Sequence, residues 1–240
     1  MGHRSTILFI TASLIAAIAV GGDTARVPAE TSMTAPHHQT ISVEMIGPVT
    51  QTTDLQIICV LKHNPAGDKY LEAMDDFNRK LHGLISQLRD RGEFAGDAGE
   101  TFLFTPTDNT VRPRQVLLIG VGAETKLTLD TLKIAGAIAA REAIRLKAHH
   151  VSFAPTLRDQ GSTRIAVGAG DAATVAGWLL AYDTEKKLQE QGLSPREDVS
   201  DFVIEAGPKY FDDTVANIAE VVKNATASIN RRESKPYVAQ

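Results

Sequence analysis

Short apolar runs and longer periodic stretches alternate along the chain, a pattern that predicts a mixture of strands and helices. The clearest run covers residues 116–119, with Val121 directly after Gly120. A short apolar run that ends in turn-forming residues is typical of a strand buried on both faces. By the same criterion, strands are predicted at 41–46, 55–61, 101–105, 151–154 and 202–206.

Apolar residues at three- and four-residue spacing predict the helices. The first helix is expected over about 71–91 and is stopped by Gly92. Further helices are expected at about 130–147, at 172–190 and around 215–229. From residue 116 onward strands and helices alternate, which is typical of an α/β fold. The sequence therefore predicts a mostly parallel sheet with helices on both faces.

The first 40 residues differ from the remainder in composition. Arg4 precedes an uncharged apolar stretch at 7–20, and small residues follow at 19–21. This pattern is typical of a secretory signal peptide; the alternative, a membrane anchor, needs an apolar stretch of roughly 20 residues. The prediction is a signal peptide at 1–21, a flexible tether at 22–40, one domain at 41–232 and a polar tail at 233–240. The protein is then secreted or periplasmic.

Composition and charge narrow the classes of function. The 240 residues carry a formal net charge of -4, and no stretch concentrates lysine and arginine. This argues against a nucleic-acid partner. The single cysteine, Cys59, lies in an apolar run and is expected to be a buried, unreactive thiol. His37 and His38 have no further ligand at metal-binding spacing and are expected to be a solvated pair. The sequence predicts no metal site, no cofactor and, once the signal peptide is removed, no membrane contact.

Two Gly-x-Gly turns are the candidates for a ligand site. The candidate residues are Gly120, Val121, Gly122, Gly168 and Gly170. Ligands of α/β folds bind at the carboxyl ends of strands, and backbone N–H groups at a helix N terminus bind anions. Neither turn continues into the dinucleotide-binding pattern, because Thr125 and Ala173 stand where its third glycine belongs. Two tight turns without a ligand are the alternative.

The sequence offers no constellation for catalysis. It contains no Gly-x-Ser-x-Gly turn that would present a nucleophilic serine. Hydrolysis by two metal ions needs several carboxylates that converge from strand ends. The acidic residues here fall instead on predicted helices or in polar loops, mostly beside lysine or arginine. No catalytic residue is assigned.

Four strings follow one another in a characteristic order. They are Phe-Ala-Gly-Asp-Ala-Gly-Glu-Thr at 94–101, the central strand at 114–122, Leu-Thr-Leu at 127–129, and residues 177–182 followed by Lys186 and Lys187. In order and spacing they resemble the amino-terminal domain of the leucyl aminopeptidase, or cytosol aminopeptidase, family over about 55–232. The resemblance implies a macro-domain-like three-layer α/β/α sandwich, in agreement with the predicted order of elements.

In that family the two metal ions and the catalytic lysine and arginine belong to a second, carboxy-terminal domain. The Asn-Thr-Asp-Ala-Glu-Gly-Arg string of that domain is absent from this sequence, so no catalytic residue is carried over. The resemblance further implies that the amino-terminal domain helps to build the oligomer and shapes access to the active site. Some macro-like domains bind ADP-ribose near the glycine turns.

The resemblance supports three hypotheses. The first is an exported, non-catalytic binding or assembly domain that forms a homo-oligomer or joins a separate catalytic aminopeptidase subunit. The second is a macro-like binder or hydrolase of a small molecule of the ADP-ribose type. The third is the regulatory half of a split metalloaminopeptidase. In the first and third hypotheses the chain by itself is not an enzyme.

Overall fold

The computed structural model describes residues 29–232, so the predicted signal peptide and polar tail lie outside the described range. The strands are β1 (Glu30–Thr34), β2 (Thr40–Glu44), β3 (Leu55–Leu61), β4 (Thr101–Phe104), β5 (Gln115–Gly122), β6 (His150–Ala154) and β7 (Asp201–Glu205). They form one seven-stranded sheet in the order β1-β2-β7-β6-β3-β5-β4. Only the outer strands β1 and β4 run antiparallel to their neighbours. The predicted mostly parallel α/β sheet is confirmed.

Helices cover both faces of the sheet. They are α1 (Glu72–Lys80), α2 (Leu84–Asp90), α3 (Leu129–Leu146), α4 (Val167–Glu190) and α5 (Phe211–Ile229). The first two pack on one face and the last three on the other. Within residues 29–232, no helix combines the length and apolar content that a bilayer span requires.

Strand β3 is apolar at every position except Gln56, and its place in the sheet explains why. Ile57 and Cys59 belong to the core beneath α3 and α4, whereas Ile58 and Val60 belong to the core beneath α1 and α2. Successive side chains of a strand point to opposite faces, so a central strand between two helical layers favours apolar residues on both faces. The Cys59 thiol is buried as predicted, and burial raises its pKa.

The helix predicted over 71–91 is two helices. His82 and Gly83 adopt positive φ angles of 54° and 76°, which ends α1 and turns the chain into α2. Asn78 stabilises this break, because its side-chain oxygen accepts the backbone N–H of Ile85 at 3.1 Å. The apolar spacing continues across the break because both helices pack on the same core. Periodicity alone therefore predicted one helix where the chain forms two.

The prediction of a flexible tether at 22–40 is wrong for the second half of that range. Residues 30–34 form β1, which pairs with β2 along its full length. Only Met33 in this stretch is a large apolar residue, so hydrophobicity gave no signal for a strand at the sheet edge. Backbone pairing and the 2.9 Å contact between the Ser32 and Ser42 hydroxyls hold it in place.

The prediction that His37 and His38 form a solvated pair is also wrong for His37. His37 Nε2 lies 2.9 Å from Asp183 Oδ1, a carboxylate whose side chain is only 1% exposed. Arg232 and Lys187 also pair with Asp183. Through Asp183, α4 therefore holds the segment before β2 against the domain.

Helix α4 starts earlier than predicted, so Gly168 and Gly170 lie in its first turns rather than in a preceding loop. Farther along, the helix crosses α3 at very short range. A Cβ atom at Gly177 would lie 1.8 Å from the Lys133 carbonyl oxygen, and one at Gly136 would lie 1.9 Å from the Thr174 carbonyl oxygen. The two backbones touch where these glycines stand.

Candidate functional site

The carboxyl ends of the five parallel strands share one edge of the sheet, and two cavities open there. The larger, here called the main cavity, measures about 490 Å³ and lies beyond the ends of β2, β6 and β7. It is lined by residues 46–48, 72–73, 154–156, 158–159, 167 and 205–210. The second cavity measures about 340 Å³ and lies beyond the ends of β3 and β5. It is lined by residues 61–65, 67–69, 123–125 and 160.

Two cations and a phenol meet at the main cavity. Arg158 Nη2 donates to the Tyr210 hydroxyl at 3.3 Å, and its guanidinium carbon lies 5.7 Å from the Tyr210 ring centroid. Lys209 Nζ lies 5.3 Å from the same centroid. The hydrogen bond from Arg158, and then the charges of Arg158 and Lys209, lower the pKa of the Tyr210 phenol. Among the described residues no carboxylate forms a salt bridge with either cation.

A buried carboxyl group forms part of the main-cavity wall at the end of β7. Glu205 is 5% exposed, and its Oε1 accepts the Ser152 hydroxyl at 2.7 Å. Burial raises the pKa of Glu205 to about 8, although hydrogen bonds from Ser152 and Gln56 act against the rise. Glu205 Oε2 and Gln56 Oε1 both lack a hydrogen-bond donor among the described residues. A proton on Glu205 removes one of these two unpaired acceptors, so the group is neutral at pH 7.

Asp159 is the other carboxyl group whose protonation matters for the main cavity. Its Oδ2 accepts the backbone N–H of Met74 near the start of α1 at 3.3 Å. Burial raises the pKa of Asp159 to about 6, and the nearby Glu72 carboxylate adds to the rise. With this pKa, Asp159 is mostly ionised at pH 7, so Asp159 and Glu72 place negative charge on the α1 side of the cavity. Arg158 and Lys209 form the positive wall beside Tyr210, and Glu205 adds no negative charge there at neutral pH.

The first predicted turn is packed by the chain itself. A Cβ atom at Gly120 would lie 2.2 Å from the Asp97 carbonyl oxygen. Gly122 has a φ angle of 76°, and its N–H donates to the Gly96 carbonyl at 3.0 Å. Val121 is 2% exposed in the core. The second cavity begins at Ala123, directly after this turn.

The second predicted turn is also in close contact with neighbouring side chains. The Gly168 N–H donates to Asp213 Oδ2 at 3.2 Å, and a Cβ atom there would lie 2.4 Å from the same oxygen. Gly170 borders a cavity of about 20 Å³, which is the size of one water molecule. Ligand binding by the five predicted residues stays a prediction, because close packing already accounts for their glycines.

Arg158, Lys209 and Tyr210 were not predicted from the sequence. The available signal was their position, since Pro155 follows the strand at 151–154 and Gly207 and Pro208 follow the strand at 202–206. Residues just past such strand ends lie at the ligand-binding edge of α/β folds. Among residues 29–232, no group of three or more His, Cys, Asp or Glu side chains is arranged to hold a metal ion.

Comparison with known proteins gives a sequence match to one family and a structural similarity to solved structures. Residues 60–176 match the N-terminal domain of the cytosol aminopeptidase family. A mutant of the tomato leucine aminopeptidase is similar in structure, with a TM-score of 0.56 at 16% identity. The similarity covers 79% of this chain and 36% of the tomato chain, so this chain spans about a third of that enzyme. No curated protein matches the sequence.

Two macrodomains share the fold over most of this chain. The Oceanobacillus iheyensis macrodomain with ADP has a TM-score of 0.55 at 13% identity, covering 82% of this chain and 98% of its own. The Trypanosoma brucei macrodomain in complex with ADP has a TM-score of 0.50 at 15% identity, covering 74% and 68%. At these identities the similarity supports a shared fold but not a shared ligand or activity. The sequence match thus relates residues 60–176 to the N-terminal domain of the cytosol aminopeptidase family, and the solved structures show a macrodomain-like α/β fold.

Proposed function

We propose that this chain is a binding domain whose main cavity takes a small molecule carrying a diphosphate or a similar anionic group, such as ADP-ribose. The observation that carries the proposal is the pair of cations, Arg158 and Lys209, which face the cavity without a carboxylate partner among the described residues. An anion that enters such a site gains charge-assisted hydrogen bonds without first displacing a salt bridge. A volume of about 490 Å³ is within the usual range for small-molecule sites.

The class of ligand rests on two further features. The partly buried Tyr210 ring offers an aromatic surface beside the cations, and such surfaces stack against nucleobases. Two macrodomains of similar fold hold ADP. A nucleoside diphosphate derivative combines an aromatic base with two phosphates, so it suits both the ring and the cations.

Calorimetry with ADP-ribose, ADP and AMP tests the proposal. We expect saturable binding of the two diphosphates, and weaker binding of AMP because it carries one phosphate. Arg158→Met and Lys209→Met should each weaken binding about tenfold, since a hydrogen bond to a charged group contributes about 1.5 kcal/mol or more. Lys223→Met, which removes an exposed lysine on α5, is the matched control. Absence of heat at millimolar ligand, or equal affinity in all variants, would overturn the proposal.

Export and a non-catalytic role are parts of the same proposal. Export is supported by Arg4 and the uncharged apolar stretch at 7–20. The non-catalytic role is supported by the absence from this sequence of the catalytic string of the aminopeptidase family. Expression in a bacterial host followed by fractionation tests export, and the mature protein should begin near Gly22. Metal-dependent turnover of leucyl-p-nitroanilide that follows the protein through purification would contradict the non-catalytic role.

Assembly is a second candidate function, favoured by the outer face of α3. Leu129 and Ile134 are 47% and 57% exposed there, and a groove of about 360 Å³ runs between α3 and α4. The proposal is that this face joins a second copy or a separately encoded catalytic aminopeptidase subunit, as in a split enzyme. Light scattering should show an oligomer, alone or with that subunit, that Ile134→Lys dissociates. A monomer at all concentrations, with or without the subunit, would contradict it.

A further inference from the structure

A histidine of the second cavity is positioned by a buried ion pair. Arg89 has a side chain that is 1% exposed, and its Nε and Nη2 both donate to the Asp68 carboxylate. Arg89 Nη2 also donates to the Leu61 carbonyl at 2.8 Å. On its outer side, Asp68 Oδ2 lies 2.9 Å from His63 Nδ1. A chain of contacts therefore runs from the core through Asp68 to a histidine at the cavity wall.

This chain fixes which nitrogen of His63 carries a proton. Burial acts to raise the pKa of Asp68, but hydrogen bonds from Arg89, the Asn64 backbone and His63 hold the pKa at about 2. An ionised carboxylate only accepts hydrogen bonds, so His63 Nδ1 must be the donor. His63 Nε2 has no partner among the described residues, and His63 lines the second cavity. The free edge of the ring is therefore available to a ligand.

Two lysines add positive charge around His63. Lys69 packs along Gly161, where a Cβ atom would lie 2.9 Å from Lys69 Cδ. Its ammonium group has no carboxylate partner among the described residues. Lys62 pairs at 2.6 Å only with Asp97, and both side chains are about half exposed. Such an exposed pair is weak and exchanges readily for another anion.

The negative groups of the second cavity do not cancel this charge. Arg89 neutralises Asp68, which leaves Glu124, an exposed residue, as the remaining carboxylate among the residues that line the cavity. A buried ion pair such as Arg89–Asp68 adds little net stability compared with apolar residues of the same volume. Its effect here is to position His63 through the contact between Asp68 Oδ2 and His63 Nδ1.

We propose that the second cavity is a binding site for a phosphate-type dianion, such as a phosphate monoester or pyrophosphate. Lys69 and Lys62 supply charge-assisted hydrogen bonds to the anion. The imidazolium form of His63, which carries a proton on both ring nitrogens, donates from Nε2. The site is distinct from the main cavity, since different strands and different cations form it. The charged and titratable groups around His63 are Lys62, Asp68, Lys69, Tyr70, Arg89 and Glu124.

Histidine side-chain NMR of the ¹⁵N-labelled full chain tests this site directly. Pyrophosphate and inorganic sulfate are the probes, titrated at constant ionic strength, and the His63 signals are assigned from their loss in His63→Gln. We expect the His63 signals to shift saturably with both probes.

Variants distinguish this site from the main cavity and from unspecific salt effects. Lys69→Met leaves the Arg89–Asp68–His63 contacts intact and should weaken both probes about tenfold, whereas Lys223→Met and Arg158→Met should leave them unchanged. A non-saturating response of His63, or a Lys69→Met variant that binds as well as Lys223→Met, overturns the proposal. Because Arg158→Met separates the two cavities, this result does not depend on whether the main cavity binds a nucleotide.

Discussion

Buried carboxyl groups at the binding edge couple the protonation of single residues to the stability of the fold. Glu205 is the strongest case, because burial raises its pKa from the ordinary 4.5 to about 8. The folded state therefore holds this proton more tightly than the unfolded state does. Between about pH 4.5 and pH 8 the folded protein carries the extra proton, so the free energy of unfolding falls as the pH rises through this window. Above pH 8 the loss is complete.

Replacing Glu205 with glutamine should remove this pH-dependent loss. Glutamine has nearly the same shape and no charge to desolvate, so Glu205→Gln should be more stable than the natural protein by about 1–3 kcal/mol at pH 8. At pH 4, where Glu205 is protonated in both states, the difference should nearly vanish. Urea unfolding at the two pH values measures both numbers. Equal stabilities at pH 8 would show that Glu205 ionises without cost.

Asp68 shows the opposite dependence on pH. Its pKa of about 2 lies below the ordinary 3.8, so its contribution to stability is present at neutral pH and is lost as the pH falls from about 4 towards 2. Asp68→Asn leaves the buried Arg89 charge without its partner and should cost about 3 kcal/mol at pH 7. The difference from the natural protein should shrink at pH 2. Urea unfolding at the two pH values measures this.

An exposed pair provides the control for Asp68. Asp75 bonds to Arg79 on the surface of α1, with side chains that are 47% and 64% exposed. Asp75→Asn should therefore cost less than about 0.5 kcal/mol. If Asp68→Asn costs no more than Asp75→Asn, the buried pair does not hold the β3–α1 loop in place.

At the level of elements, close backbone contact rather than side-chain volume sets the packing of α3 on α4. Gly177 stands where the two helices touch, and a Cβ atom there would lie 1.8 Å from the Lys133 carbonyl oxygen. Gly177→Ala must push the helices apart and should lower the free energy of unfolding by about 3 kcal/mol. Gly47→Ala is the control, because a Cβ atom at Gly47 meets nothing within 4 Å. Chemical denaturation that gives the same stability for both variants would contradict this packing.

The strands were largely predictable from the sequence, for a physical reason. A central strand such as β3 is buried on both faces, so its apolar run is continuous from Ile57 to Leu61 and is easily recognised. Strand β1 at the sheet edge is held by backbone pairing, which any sequence provides, and its side chains alternate between exposed and half-buried. The break between α1 and α2 at Gly83 could not be predicted from the apolar spacing, because both helices pack on the same core. Hydrophobic patterns report burial and carry no information on where a backbone turns.

The candidate site was less predictable than the fold. The sequence predicted a ligand site at the glycine turns, but Gly120 and Gly168 lie where other parts of the chain pack too closely for a Cβ atom. Arg158 and Tyr210 lie more than 50 residues apart in the sequence and meet only because β6 and β7 are neighbours in the sheet. No local sequence pattern predicts the contact between Arg158 and Tyr210, since it depends on the order of strands in the sheet. The rule that α/β folds bind ligands beyond their strand ends was the available guide.

At the scale of the whole molecule, the strand order places all five parallel carboxyl ends on one edge, with the main cavity over β2, β6 and β7 and the second cavity over β3 and β5. Asp159 lines one cavity and Gln160 the other, so a single turn after β6 separates them. This edge of the sheet thus presents two chemically different cavities to solvent. The central claim is that the main cavity, with Arg158 and Lys209, binds a nucleotide-type anion.

The most direct test of that claim is to map the amide chemical shifts of the full chain during a titration with ADP-ribose. Saturable shifts should cluster at 155–159 and 205–211, around Arg158 and Tyr210, and they should be lost in the Arg158→Met and Lys209→Met double variant. The outer face of α3 around Ile134 should stay unchanged. A titration with no saturable shifts, or one whose shifts cluster away from the main cavity, would contradict the account.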